Sequence, residues 1–233
     1  MQIRVGTSGY SYKPWKGRFY PEDLPDARML AFYAERLPTV EINNTFYRMP
    51  KRDLLERWAG EVPGEFRFVL KASQRITHHK RLRNADEEVA YFFETAAVLG
   101  ERLGPVLFQL PPNSKKDAAR LVDFLALLPR SARAALEFRH DSWLDEEIYS
   151  ALRDAGAAHC LADTDASEAV PELVATADWG YLRLRRSEYT DAQLEAWLER
   201  IRRQPWREAY VFFKHEDEGR GPDLARRLIE KLG

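Results

Sequence analysis

Eight short runs rich in β-branched and aromatic residues recur along this chain, each separated from the next by a longer connecting stretch. They lie near Ile3–Gly6, Val40–Ile42, Arg67–Leu70, Pro105–Gln109, Ala134–Phe138, Ala157–Ala162, Gly180–Leu184 and Ala209–Phe213. Several of the connections, Glu87–Gly100, Lys115–Leu128, Asp145–Ala155 and Asp191–Arg203, carry apolar residues at i, i+3, i+4 spacing and read as helices. Strands alternating with helices require a parallel sheet with right-handed crossovers. Eight such units in 233 residues fit a single-domain (β/α)8 TIM barrel at the compact end of its size range. An open doubly wound sheet would want a glycine-rich phosphate turn after the first strand, and Gly6-Thr-Ser-Gly9 is a weak imitation of one. No Pro/Gly/Ser-rich linker divides residues 1–233, so one domain is expected.

Local signals place the boundaries. Ser114 and Thr190 precede helical stretches as candidate N-caps, Pro222 opens the last helix, and Gly100 and Gly156 stand where helices should stop. Residues 164–178 are short and broken by Pro171, which predicts an irregular unit between the sixth and seventh strands.

Alternate residues of a barrel strand face the lumen and the helices. In TVEINNTFYRMP, at 39–50, Val40 and Ile42 would face helices while Glu41 and Asn43 point inward. The same parity sends Glu137 and Arg139 inward between Leu136 and Phe138, and Arg183 and Arg185 inward beside Leu182 and Leu184. Lys71 ends the third strand, Gln109 the fourth, Asp163 the sixth and Lys214 the eighth. A barrel needs only branched aliphatics to pack, so charges gathered at the C-terminal strand ends point to a site. The rival reading is a self-neutralising network, Glu41 with Lys71 and Glu137 with an arginine.

Composition narrows the partners. A formal net charge of −1 provides no global field for nucleic acid or anionic membrane. No window approaches the ~20 apolar residues of a membrane span, and no membrane partner is expected. With Cys160 as the single cysteine there is no disulfide framework, and a cytoplasmic protein is the economical reading. Cys160 itself, opposite in parity to Asp163, reads as a small core residue. Neither HExxH nor CxxC occurs, so no cofactor is predicted from a motif; a divalent metal would need a set such as Glu137, Asp163, His78, His140 and His215.

Five segments together carry a resemblance: GTSGYSYKPWKGRFYP at 6–21, VEINNTFYRMP at 40–50, FVLKASQRITHHKRL at 68–82, GPVLFQLPP at 104–112 and LEFRHDSW at 136–143. In these the chain resembles the YecE-like family, a TIM-barrel domain of unknown function, along essentially its whole length. The resemblance implies the barrel and the location of a site, and no reaction. YLRLRRSEY at 181–189 and YVFFKHEDEGRGP at 210–222 depart from that family's commoner form, so it assigns nothing to Arg185, Lys214 or His215.

The residues support two classes of function. In the first, an enzyme of hydrolase or lyase type acts on a polar or anionic sugar, sugar-phosphate or nucleic-acid-derived substrate. Glu41 and Glu137 would be its acid and base, Lys71 and Arg139 would tune them, and Asp163 would join the catalytic set. Paired carboxyls about 5–9.5 Å apart serve glycoside hydrolysis. Arg183, with Lys214, would hold an anion near strands seven and eight, where barrels often bind phosphate. Asn43, Asn44, His78, Gln109, His140 and Trp143 would line the substrate, and Tyr10, Tyr12, Trp15 and Tyr20 would stack on it unless they merely cap the barrel. In the second class a non-catalytic module binds nucleic acid through the basic loop SQRITHHKRLR at 73–83 and the aromatic 10–20 loop.

Overall fold

The computed structural model describes residues 1–166, 170–214 and 219–233. Each apolar run is a strand: β1 (Gln2–Ser8), β2 (Thr39–Ile42), β3 (Arg67–Lys71), β4 (Leu103–Gln109), β5 (Ala134–Glu137), β6 (Ala158–Asp163), β7 (Trp179–Leu184) and β8 (Glu208–Phe213). Neighbours pair in parallel in sequence order, and β8 closes on β1. The result is the (β/α)8 barrel that the alternation implies.

Helices clothe the outside: α1 (Met29–Ala34), α2 (Asn44–Tyr47), α3 (Arg52–Glu61), α4 (Asp86–Ala96), α5 (Ala118–Ala126), α6 (Glu146–Asp154), α7 (Asp191–Arg202) and α8 (Arg220–Glu230). Between β6 and β7 the described residues form no helix, in keeping with Pro171. Thr190 caps α7 through a reciprocal box with Gln193. At α5 the cap is Asp117, whose carboxylate accepts from Arg120 N, and not Ser114. Gly156 follows α6 at φ 63°, a conformation that glycine adopts without strain. No helix among the described residues is long and apolar enough to cross a membrane.

Two cores divide along strand parity. Val40, Ile42, Phe68, Leu70, Val106, Phe108, Leu136, Leu182, Leu184, Val211 and Phe213 belong to the outer core under the helices. Val69, Leu107, Ala135, Ala158, Cys160, Trp179, Tyr181, Tyr210 and Phe212 fill the lumen. Gly6 is needed for closure rather than for phosphate, because a Cβ there would lie 2.0 Å from the Thr39 carbonyl oxygen. The lumen is thus plugged by aromatics and small residues in its middle, and polar parity residues gather at the C-terminal strand ends.

Candidate functional site

Three strands deliver one ion triad to that end. Arg183, on β7, donates from Nη2 to Glu41 Oε1 at 2.9 Å and from Nη1 to Glu137 Oε2 at 2.7 Å. All three residues are buried, with Arg183 only 2% exposed. Ser8 Oγ and Tyr181 OH complete the Glu41 carboxylate, each at 2.7 Å. Gln109 Nε2 and Arg139 Nε complete Glu137 at 2.8 and 3.2 Å. Charges this deep persist only when hydrogen-bonded and paired, and here both carboxylates are.

The electrostatics follow from those contacts. Burial pushes the Glu137 carboxyl up, but Arg183 and Arg139 outweigh it and bring it down to about 2. Burial likewise works against ionised Glu41, and Arg183 with the Tyr181 and Ser8 hydroxyls leaves its pKa lowered. A general acid must keep its proton near the working pH. The contacts favour the ionised form of both glutamates, which suits a base or nucleophile rather than an acid, and Arg183 Nη1 and Nη2 both donate to carboxylates.

A second branch runs from Gln109. Its Oε1 accepts from Lys71 Nζ at 2.9 Å, and that ammonium lies 4.1 Å from the centre of the Phe46 ring. Phe46 meets His78 edge-on at 4.8 Å, and His78 Nδ1 shares a 2.9 Å hydrogen bond with Thr77 Oγ1. Thr45 fixes the local backbone by donating to the Lys71 carbonyl at 2.7 Å. Burial first, and Arg183 second, lower the Lys71 pKa to about 8. Burial and neighbouring Lys71 lower that of His78. Arg185 is half-buried beside Arg183, and no described carboxylate forms an ion pair with it.

Other expected members lie elsewhere. Asp163 ends β6 with the opposite parity: it accepts from Arg186 Nε at 2.7 Å and Tyr189 OH at 2.9 Å on the helix side. Trp15 is fully buried, 4.9 Å from Tyr12 and 6.1 Å from Tyr20, while Tyr10 packs on Tyr33 and Trp58, so this loop is an aromatic cap. Trp143 is buried, stacked on Phe138 at 4.8 Å, and its indole donates to the Ser114 carbonyl. His140 accepts from Ser142 N and so caps a short 3-10 turn. Asn43 leads into α2, and Asn44 lines a groove with Tyr47, Met49 and Trp58. Lys214 follows β8 and is half-buried. His215 lies outside the described residues, and among those described no three of His, Cys, Asp and Glu gather to hold a metal. Sequence reasoning missed Ser8, Phe46 and Tyr181. Parity gave a signal for Tyr181, two residues before Arg183, and register gave one for Ser8, which pairs with Glu41.

This barrel with its polar C-terminal end has relatives. The model of a protein family of unknown function, DUF72, matches residues 4–233. The chain belongs to the DUF72 family. YunF of Bacillus subtilis, a UPF0759 protein, is 25% identical over 99% of this chain and 94% of its own length. YecE of Escherichia coli K12, also UPF0759, is 26% identical over 86% of this chain and 84% of its own. The crystal structure of a DUF72 protein from Thermotoga maritima matches with a TM-score of 0.87 at 26% identity, covering 100% of this chain and 99% of that one. A DUF72 protein from Enterococcus faecalis, 20% identical with a TM-score of 0.83 over 99% of this chain and 95% of its own, shares the fold. None of these names states a reaction.

Proposed function

We propose that this DUF72 protein is a lyase-type enzyme whose C-terminal barrel mouth takes a small anionic substrate, a sugar phosphate or a carboxylate. Lys71 is its reactive amine and Arg139 and Arg185 hold the anion. Charge carries the reading. Lys71 and Arg185 each lie in the field of Arg183, Arg139 and the same two carboxylates, Glu41 and Glu137, so among these six groups two positive charges are unmatched. Cations held together in a half-buried setting cost stability, and an anionic ligand offsets that cost. The ion triad then serves as the rigid floor of the site.

Inorganic phosphate titrated calorimetrically against the wild type and the double variant Arg139→Gln/Arg185→Gln, at matched ionic strength, tests this. Charge-assisted hydrogen bonds contribute roughly 1.5–3 kcal/mol each, so the variant, which loses two such donors, should bind at least about a hundredfold more weakly. Equal affinities would overturn the reading.

One observation favours a second reading, nucleic-acid binding. Tyr47 is 71% exposed in a groove shared with Arg48, Lys51 and Arg57, and Arg75, His79 and Arg81 are exposed on the basic loop. Oligonucleotide affinity that falls by orders of magnitude from low to moderate salt would support it.

A further inference from the structure

Lys71 is set apart from the exposed Lys13, Lys51 and Lys115 by its partial burial, and from other half-buried lysines by its partners. Lys16 pairs with Asp26, Lys80 with Glu88, Lys116 with Asp145 and Glu147, and Lys231 with Asp191 and Glu195. The Lys71 amine has no carboxylate within ion-pair distance among the described residues. It reaches Glu137 only through the Gln109 amide, while Glu137 itself is turned to Arg183. The ring of Phe46 walls it on one side, and Arg183 and Arg139 act on it as like charges. An amine at a barrel-strand C-terminus, desolvated and set among cations, is held toward its neutral, nucleophilic form.

We propose that Lys71 is a covalent site, forming a Schiff base with a small carbonyl compound that carries a carboxylate or a phosphate. The inference rests on the anion reading of the mouth given above and names the substrate class. The neutral amine's lone pair forms a bond to the carbonyl carbon, and the carbonyl π pair moves to oxygen, which takes a proton. The carbinolamine then expels that hydroxyl, with a second proton, as water. The nitrogen electrons close the C=N bond, leaving one hydrogen on a cationic iminium. One proton is drawn from solvent overall, and nothing is oxidised or reduced. Gln109 orients the amine before attack, Phe46 keeps water from one side, and Arg139 and Arg185 fix the substrate's anionic end. Glu41 and Glu137, held ionised, offset the positive charge that the iminium keeps.

Trapping tests the step. The full-length protein is incubated separately with pyruvate and with glyceraldehyde 3-phosphate in the presence of cyanoborohydride, and the products are read by intact mass and peptide mapping. With the Lys71 pKa at about 8, its neutral fraction at pH 7 exceeds that of an exposed lysine by roughly two- to three-hundredfold. We expect one saturable adduct per chain, on the Lys71 peptide, forming at least about tenfold faster than on any exposed lysine. Lys71→Arg should abolish it while retaining phosphate binding, which shows that the variant is folded. Acetone, which has no anionic end, should label Lys71 far more slowly. Adducts spread over surface lysines at similar rates, or no adduct on a protein that binds phosphate at the mouth, would overturn the covalent inference and leave the anion reading standing. Selective Lys71 labelling without phosphate binding would sink the anion reading, and with it the anionic substrate class, and leave Lys71 as a covalent site.

Discussion

Arg183 joins two carboxylates that no other described cation pairs with inside the lumen, apart from the longer contact of Arg139 to Glu137. Glu137→Gln therefore strands part of a buried cation and should destabilise the fold by ~3–5 kcal/mol in urea unfolding. Arg183→Met should cost more, since it leaves two carboxylates unpaired. Replacing all three at once, Glu41→Leu with Glu137→Leu and Arg183→Met, should recover most of that loss, because an apolar triad avoids the desolvation. A costless Glu137→Gln would mean that the triad is not structural. Lys71 behaves with the opposite sign. Its pKa drops from 10.5 to about 8 on folding, so carrying that proton penalises the folded state, in full below about pH 8 and not at all above 10.5. Lys71→Met should accordingly raise the melting temperature at pH 7, the behaviour of a group kept for function rather than stability. Reductive trapping at Lys71 should speed up as pH rises through about 8, in the field of Arg183, Arg139, Glu41, Glu137 and His78.

At the scale of elements, strand parity was legible wherever the two faces of a strand differ in kind. Val40 and Ile42 flank Glu41, and Leu182 and Leu184 flank Arg183, so aliphatic and polar faces separate in the sequence itself. β6 offers no such contrast. Its inward residues Ala158 and Cys160 are small, its outer face carries His159 and Leu161, and Asp163 continues the outer face to meet Tyr189. The aromatic 10–20 loop was legible as a cluster but not in its direction, because stacking on ligand and stacking on Tyr20 need the same residues. The isolation of Lys71 was hidden as well. It depends on Gln109 lying within reach across β3 and β4, whose register shifts between Phe68 and Leu70. The cap of α5 shows the limit of a motif: Ser114 has the right chemistry, yet Asp117 has the right backbone, with φ −151° and ψ 92°. Asp117→Ala should cost ~1 kcal/mol of stability in thermal unfolding, whereas Ser114→Ala should cost little through α5.

For the molecule as a whole, the barrel is closed by ions at both ends of an apolar plug. At the N-terminal end Glu208 bridges Arg4 and Arg133, each at 2.6 Å, and the Arg133 guanidinium lies 4.6 Å from the centre of the Trp179 ring. At the other end stands the Glu41–Arg183–Glu137 triad, with Val69, Leu107, Ala135 and Phe212 among the residues between. Burial opposes ionisation of Glu208 too, and the bonds from Arg4 and Arg133 leave its pKa lowered. The carboxylates at both ends thus have folded pKa values below their ordinary value near 4.5. The stability they contribute is complete above that value and is lost as pH falls through the folded ones. For Glu137, which titrates at about 2, the loss is on the order of 3 kcal/mol. Melting temperature should therefore decline gradually below about pH 6.5, where burial keeps His159, with its pKa lowered to about 4, from taking a proton, and fall steeply between about pH 4.5 and 2. Glu137→Gln should flatten part of that fall, having forfeited its share already at neutral pH. Added salt should change the profile little, because buried pairs are weakly screened. A melting temperature that holds steady from pH 5 down to about 3 would show that packing of the plug, and not the ion layers, keeps the two ends of the barrel closed.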